Sequence, residues 1–310
     1  MIRSVRLKAF AKLNLGLRVL YKRPDNYHEL RTVFQTVSLA DTLEMDFERA
    51  KTTSVEIEGT PHIEDNLVER AARMLLQGMD SDARIRFVLK KRIPSGAGLG
   101  GGSSDAAAVL LALPVLAGKI VPFADLHAMA AKLGSDVPFF LEGGAALGLG
   151  RGEELYPLPD RPATRALLVS PDIHSGTAEA YRDVSTRLTS IPLQNKLDSF
   201  RQEVWQSGGK ALGGFVNDFQ EGVFARHPEL QRIADRLLRR GAQPVAMTGS
   251  GSSIFGIFQD RERLLAAQKA FSQQTFEISF LSRSQYRSAW KRALKQHTKG
   301  DLWPPQSRYA

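Results

Sequence analysis

Apolar and polar residues alternate with period two along residues 6–20, "RLKAFAKLNLGLRVL", which predicts a strand. Ala11, Leu13, Leu15 and Leu17 fall on one face; Phe10, Lys12, Asn14 and Gly16 fall on the other. Further strands are predicted at 31–39, 42–48 and 52–58. "EDNLVERAARMLLQ" changes to helical spacing, with Leu67, Ala71, Met74 and Leu75 on one face and Asp65 or Asn66 placed to cap it. "ARIRFVLKKRI" is another strand, ended by Pro94. A glycine-rich stretch leads into helices over 103–117 and 123–133, and "GGAALGLG" with "EELYPL" predicts a close strand pair.

The proline-rich "YPLPDRP" at 156–162 marks the domain boundary. Beyond it "RALLVSP" predicts a strand, "TAEAYRDV" a short helix, and 194–240 a largely helical region. "QPVAMTGSGSSIFGIF" is a strand, glycine turn and strand; 260–273 is a helix; "TFEISFLSRSQY" closes with a strand. The mixture predicts an α+β fold, and 310 residues suit two domains.

Composition changes this picture little. Hydrophobic content of 43% and charged content of 24% are those of an ordinary soluble globular chain. The longest apolar run, about 106–118, falls short of a bilayer span, and Lys12, Asn14 and Arg18 interrupt any secretory-signal pattern. No membrane partner is expected, and the default expectation is a cytoplasmic protein, monomeric or weakly homodimeric. The absence of cysteine excludes disulfides and thiolate chemistry. Of the net charge of +9, the segment from Ser282 onward carries +6, with Asp301 its lone acid. Residues 287–310 therefore read as a basic tail outside the fold, able to touch RNA or acidic lipid but more plainly a solvated end.

The richest chemistry lies in "RIPSGAGLGGGSSDAAAVLLAL", where five glycines stand between Gly96 and Gly102. A Walker A loop needs lysine after its last glycine; here Ser103 follows. Gly96, Gly98 and Gly101 match a dinucleotide fingerprint, but the next element is a second helix where that fold needs a parallel strand. What remains is a loop without side chains whose amides can converge on phosphate, followed by a helix N-terminus that favours anions. The alternative is a plain turn with Ser103 as helix cap. Asp136, in "LGSDVPFF", stands equally as a helix cap or as a base, and Lys12 as a solvent-facing strand lysine or a cleft residue. The histidines are scattered, and no acidic or histidine cluster has metal spacing.

"PSGAGLGGGSSDAA" resembles the second motif of the GHMP kinase superfamily, which phosphorylates small molecules with ATP; "AFAKLNLGLRV" and "TGSGSSIFGIF" resemble its first and third motifs. The resemblance covers roughly residues 8–286. It implies a GHMP kinase architecture: an ATP-binding domain over 1–158, resembling the second domain of a small-subunit ribosomal protein, and a ferredoxin-like α/β sandwich over 159–286. It implies that Asp136 is the catalytic base and that Lys12 lies beside it. Asn66 would line the adenine pocket, with Pro94, Ser95, Gly96, Ala97, Gly98, Leu99, Gly100, Gly101, Gly102, Ser103 and Ser104 around the phosphates. Mg²⁺ would arrive with ATP, Ser104 being the candidate residue for it. "DNYHELRTVFQTVSL" and "LGSDVPFFLEGGAALGLGRGE" resemble the member whose acceptor is CDP-methylerythritol. That implies His28 on the cytosine edge, Tyr27 and Tyr181 on its faces, and Asn14, Thr177, Thr248, Gly249, Ser250 and Gly251 nearby. Homoserine and mevalonate kinases are rivals whose substrates carry no base to use Tyr27 and His28. An RNA-binding protein is the rival of another class, though nucleic acid is not the expected partner.

Overall fold

The alternating N-terminal segment forms β1 (Arg3–Lys22), and the chain returns as β2 (His28–Arg49), paired antiparallel with it over nearly its full length. This long hairpin is the spine of the computed structural model, which describes residues 1–59, 65–187 and 215–310. The two strands expected at 31–39 and 42–48 are one. Asp41, which suggests a break, is fully buried in mid-strand because its carboxylate is satisfied by Lys91 and two backbone amides.

The second half of β2 pairs with β4 (Ala83–Lys90), which carries β3 (Ser54–Glu58) in parallel outside it. The first half pairs with β5 (Ala145–Leu149), followed by β6 (Glu154–Pro157). Helix α2 (Gly101–Ala117) is apolar on every side and buried from Ser104 to Ala117, as a helix must be when covered all round. It packs on β1 and β2 and against α1 (Leu67–Gly78), α3 (Phe123–Leu133) and α4 (Phe139–Glu142).

The second domain is a four-stranded antiparallel sheet of β7 (Arg165–Ser170), β8 (Val245–Met247), β9 (Ile254–Phe258) and β10 (Gln274–Ser279), in the order β10-β7-β9-β8. Its described helices are α5 (Thr177–Arg187), α6 (Gln220–Arg226), α7 (Pro228–Arg239) and α8 (Arg261–Gln268). This strand order and the alternation of strands with helices are ferredoxin-like, as expected. Of the helical region expected over 194–240, residues 194–214 lie outside the described residues. The apolar face of β1 given by Ala11, Leu13 and Leu15 meets Leu168, Phe255 and Ile278 in a core shared between the sheets. The cleft between the domains is lined by β1 and β2 on one side and by α5 and the β8–β9 turn on the other.

The C-terminal expectation is overturned. Ser282 caps α9 (Arg283–Leu294) in a capping box with Gln285, and the segment returns to the first domain. Tyr286, Trp290 and Leu294, spaced four apart, form a buried stripe that the charge count concealed. The basic residues occupy the outer faces: Arg287 pairs with Glu142 at 2.7 Å and Lys291 with Asp301 at 2.6 Å. Further on, the His297 ring donates to the Ser4 carbonyl at 2.9 Å and the fully buried Ser307 hydroxyl to the Val115 carbonyl at 2.7 Å. Residues 287–310 are part of the fold.

Candidate active site

The glycine loop leaves β4 and enters α2 through three left-handed residues, Gly96, Gly98 and Gly100, with φ of 65°, 76° and 69°. Side chains rarely tolerate that conformation. At Gly98 there is a second reason: a Cβ would stand 2.1 Å from the Thr248 carbonyl oxygen. The loop is thus pressed against the turn between β8 and β9, whose Thr248 hydroxyl reaches the Gly98 carbonyl at 3.3 Å. Helix α2 is preceded by Gly100 with no side-chain cap, so Ser103 is not the capping residue. The first-turn amides, which have no intrahelical acceptors, are left without a capping side chain.

The root of the loop is ionic and buried. Asp41 accepts from the amides of Arg92 and Ile93 at 2.5 and 2.8 Å, and Lys91 Nζ bridges Asp41 and Asp105 at 2.5 and 2.7 Å. Burial, reinforced by Asp41, pushes the Asp105 carboxyl up to about 7 against the opposing pull of Lys91. Burial alone would lower Lys91, but Asp105 and Asp41 together hold it above its ordinary value. This cluster was not singled out in the sequence; its signal is an aspartate inside each of two apolar runs, "SLADTL" and "SSDAAAVLL".

Lys12 and Asp136 come together from opposite ends of the first domain, with Nζ 3.2 Å from a carboxylate oxygen. Lys12 is 4% exposed and Asp136 31%, so the lysine is not on a solvent face and the carboxylate opens to the cleft. Asp136 does not cap a helix: the residue preceding α4 is Pro138. Lys12 is oriented from all sides. Its amide joins the Leu99 carbonyl at 3.0 Å, its ammonium donates to Asn14 Oδ1 at 2.7 Å, and it lies 5.4 Å from the Phe34 ring centre. Asn14 in turn donates from its side chain to the Thr32 hydroxyl oxygen at 2.7 Å and from its backbone amide to the Thr248 hydroxyl oxygen at 3.0 Å.

Around the pair lies a cavity of about 230 Å³, lined by Lys12, Asn14, Asp136, Gly98, Gly249 and Ser250 among others. On one side a pocket of about 360 Å³ is lined by every residue from Pro94 to Ser103, with Asn66, Lys91 and Asp105. Asn66 caps α1 through Oδ1, accepting from the Val68 amide at 3.0 Å. Ser104 lies beneath the loop, its hydroxyl buried and without a partner among the described residues. On the other side a pocket of about 1040 Å³ holds Tyr27, His28, Thr177 and Tyr181, together with Arg151 and Ser185.

Here the arrangement departs from the expected sandwich of two tyrosines. His28 itself stacks on Tyr181, ring centres 4.9 Å apart, and its Nε2 shares a 2.7 Å hydrogen bond with Ser185. Tyr27 stands apart under the Arg151 guanidinium, 4.7 Å from its ring centre. Burial, and then Lys22, lower the pKa of His28, while burial raises that of Tyr181. Thr177 meets Ser250 at 3.0 Å, closing the pocket against the third motif. Within that motif Gly249 and Ser250 line the cleft, whereas Thr248 is fully buried as a buttress and Gly251 packs on Met247. Arg151, His174, Ser175 and Thr32 are cleft residues that sequence reasoning missed, since nothing local distinguishes them.

Two family descriptions match the chain: "GHMP kinases N terminal domain" over residues 66–144 and "GHMP kinases C terminal" over 197–278. The chain is 53% identical to the 4-diphosphocytidyl-2-C-methyl-D-erythritol kinase of Solibacter usitatus (strain Ellin6076), over 99% of this chain and 98% of that one. It is 39% identical to the enzyme of the same name from Chlorobium limicola, covering 89% and 96%. Among solved structures, one described as 4-(cytidine 5'-diphospho)-2C-methyl-D-erythritol kinase superposes with a TM-score of 0.74 at 35% identity, covering 90% of this chain and 99% of its own.

Proposed function

The chain belongs to the GHMP kinase family, and from that premise we propose that it phosphorylates the 2-hydroxyl of 4-diphosphocytidyl-2-C-methyl-D-erythritol with ATP, giving the 2-phosphate and ADP. The reaction is a step of the non-mevalonate route to isoprenoid precursors. The observation that carries the reading is the position of the Lys12–Asp136 pair, which lines the central cavity flanked by the glycine-loop pocket and the pocket of His28 and Tyr181. A triphosphate on one side and a cytidine on the other would bring γ-phosphorus and acceptor hydroxyl together at that pair.

Phosphoryl transfer depends chiefly on positioning and charge neutralisation. The amides of Gly96–Gly102 and the first turn of α2 would hold the phosphates, with Asn66 at the nucleoside end. Mg²⁺ would enter with the nucleotide, held largely by phosphate oxygens and water; among the described residues no acidic or histidine cluster could hold a metal alone. The partnerless Ser104 hydroxyl is the group suited to join that shell, where the ion would neutralise phosphate charge. Asp136 accepts the hydroxyl proton as the oxygen attacks phosphorus and the bond to the ADP oxygen breaks. Lys12, its ammonium 3.2 Å from that carboxylate, steadies charge on the transferred group. On the acceptor side His28 and Tyr181 offer ring faces and a ring nitrogen to the base. The setting is cytoplasmic, where ATP is available; no helix among the described residues is long and apolar enough to cross a membrane.

The test is ADP release with the cytidyl substrate and Mg²⁺-ATP. Wild type should turn over, and Asp136→Asn should lose about 10²–10⁴-fold in kcat. No turnover by wild type removes the function; full turnover by the variant removes Asp136 from its role.

A further inference from the structure

The C-terminal segment reaches the reactive pair from behind. Only Val137 and Pro138 separate Asp136 from α4, a single turn too short to be stable alone. Its last carbonyls have no intrahelical donors, and the C-terminal segment supplies them. The Tyr286 hydroxyl donates to the Phe140 carbonyl, and the Trp303 indole N–H donates to the Leu141 carbonyl at 3.2 Å. Arg283 donates to the Ala145 carbonyl at 2.7 Å just beyond. Gly143, with φ of 65°, lies so close to the Tyr286 ring that a Cβ there would come within 2.5 Å of it.

The opposite side of α4 touches the chemistry. The Phe140 ring fills the space beside Gly100, where a Cβ would meet it at 2.9 Å and the Lys12 side chain at 3.2 Å. Phe139 packs on Phe34 at 5.0 Å between ring centres, the same ring beside which the Lys12 ammonium lies. The short helix is thus wedged between the C-terminal segment and the junction of Lys12, Gly100 and Asp136.

We propose that residues 283–310 are a strap that sets the position of Asp136 and Lys12 through α4, with Tyr286 and Trp303 as positioning residues. The proposal rests on the reading of Lys12 and Asp136 as the reactive pair. Neither positioning residue lines the cleft, so their effect should fall on kcat and leave substrate binding alone.

The experiment compares Tyr286→Phe, Trp303→Phe and the double variant with Ser307→Ala, which removes a strap hydrogen bond that does not touch α4. Thermal melts accompany kcat and both KM values, all at a temperature where every variant is folded. Each conservative single variant should lower kcat about 3–10-fold and the double variant more, with both KM values within about twofold, because sub-ångström misplacement of reacting groups is costly. Ser307→Ala should keep full kcat even where its melting temperature falls as far. Unchanged kcat in the double variant overturns the proposal, as does an equal loss of kcat in Ser307→Ala, which would make the strap a matter of stability alone. Should one single variant not fold, the other decides by the same criteria. If Asp136→Asn turns over fully, the reactive-pair reading itself has failed; if it does not, the strap variants judge the strap independently.

Discussion

The glycine loop and the pocket of His28 and Tyr181 flank the Lys12–Asp136 pair, yet the first is made of main chain and the second of side chains. In the loop, three left-handed glycines and a backbone carbonyl contact at Gly98 fix the shape, and a buried ionic cluster anchors the root. In the pocket of His28 and Tyr181, Tyr181, His28 and Ser185 arrange one another by stacking and two hydrogen bonds, and Tyr27 is 55% exposed. A site made of backbone has no rotamer to adjust, so its geometry is set once the chain folds. A site made of side chains, with one ring exposed, can rearrange around a ligand. The contrast suits the chemistry: phosphates need fixed donors in the transition state, while a nucleobase needs surface and orientation.

The largest effect should therefore come from the loop. Gly98→Ala meets both a disfavoured φ and a carbonyl 2.1 Å away, and neither chain can yield without moving the turn that supports Asn14. A loss of about 10²-fold or more in kcat/KM for ATP is expected, with a lowered melting temperature. Gly102→Ala sharpens the point. Gly102 is not left-handed, and a Cβ added there would meet nothing nearer than the Leu67 side chain at 3.8 Å, so the fold should be unharmed. If Gly98→Ala retained near-normal ATP kinetics, the loop would not be the rigid half of the site.

His28→Ala should do less, and on the other substrate. Stacking on a ring face contributes about 1–3 kcal/mol per base, so KM for the cytidyl substrate should rise about 5–150-fold. Both kcat and KM for ATP should stay within about threefold of wild type, as measured by steady-state kinetics with each substrate varied in turn. An equal rise in KM for ATP would show that the two ends are mechanically joined and would break the distinction.

The same contrast explains what could be read from the sequence. The loop is continuous from Lys91 to Asp105, so its glycines and the following apolar helix stand side by side in the chain. The α+β character of the second half was similarly visible, because its strands and helices alternate with their own periods, whereas its ferredoxin-like topology came only through resemblance. The grouping of His28 with Tyr181 could be expected only through resemblance, and Ser185 not at all, since His28 and Ser185 are 157 residues apart and nothing local brings them together. Arg151 and His174 were missed for that reason. The C-terminal strap was misread because net charge was weighed above spacing: Tyr286, Trp290 and Leu294 already mark a helix face, while the seven basic residues suggested a solvated end. Asp41 and Asp105 were overlooked because a buried carboxylate differs from an exposed one only in its partners, and Lys91 lies far from Asp41 in the chain.

The smallest effect tests how the rigid half is anchored. Burial, then repulsion from Asp41, raise Asp105 from its ordinary 3.8 to about 7, with Lys91 opposing them. A carboxyl with a raised value holds its proton more tightly in the folded chain than in the unfolded one. Between about 3.8 and 7 the unfolded chain has released that proton while the folded chain has not, so the contribution to stability falls as pH rises across the window. It is fully present below the lower value and lost above the upper one. Asparagine cannot titrate, so the melting temperature of wild type relative to Asp105→Asn should decline by a few degrees between pH 5 and pH 8. Thermal melts of both proteins at the two pH values measure this directly. A difference that did not change with pH would mean that Asp105 does not titrate in this range. A difference that grew in favour of wild type would mean that Lys91 outweighs burial, and that the loop is anchored by a permanent ion pair in place of a shared proton.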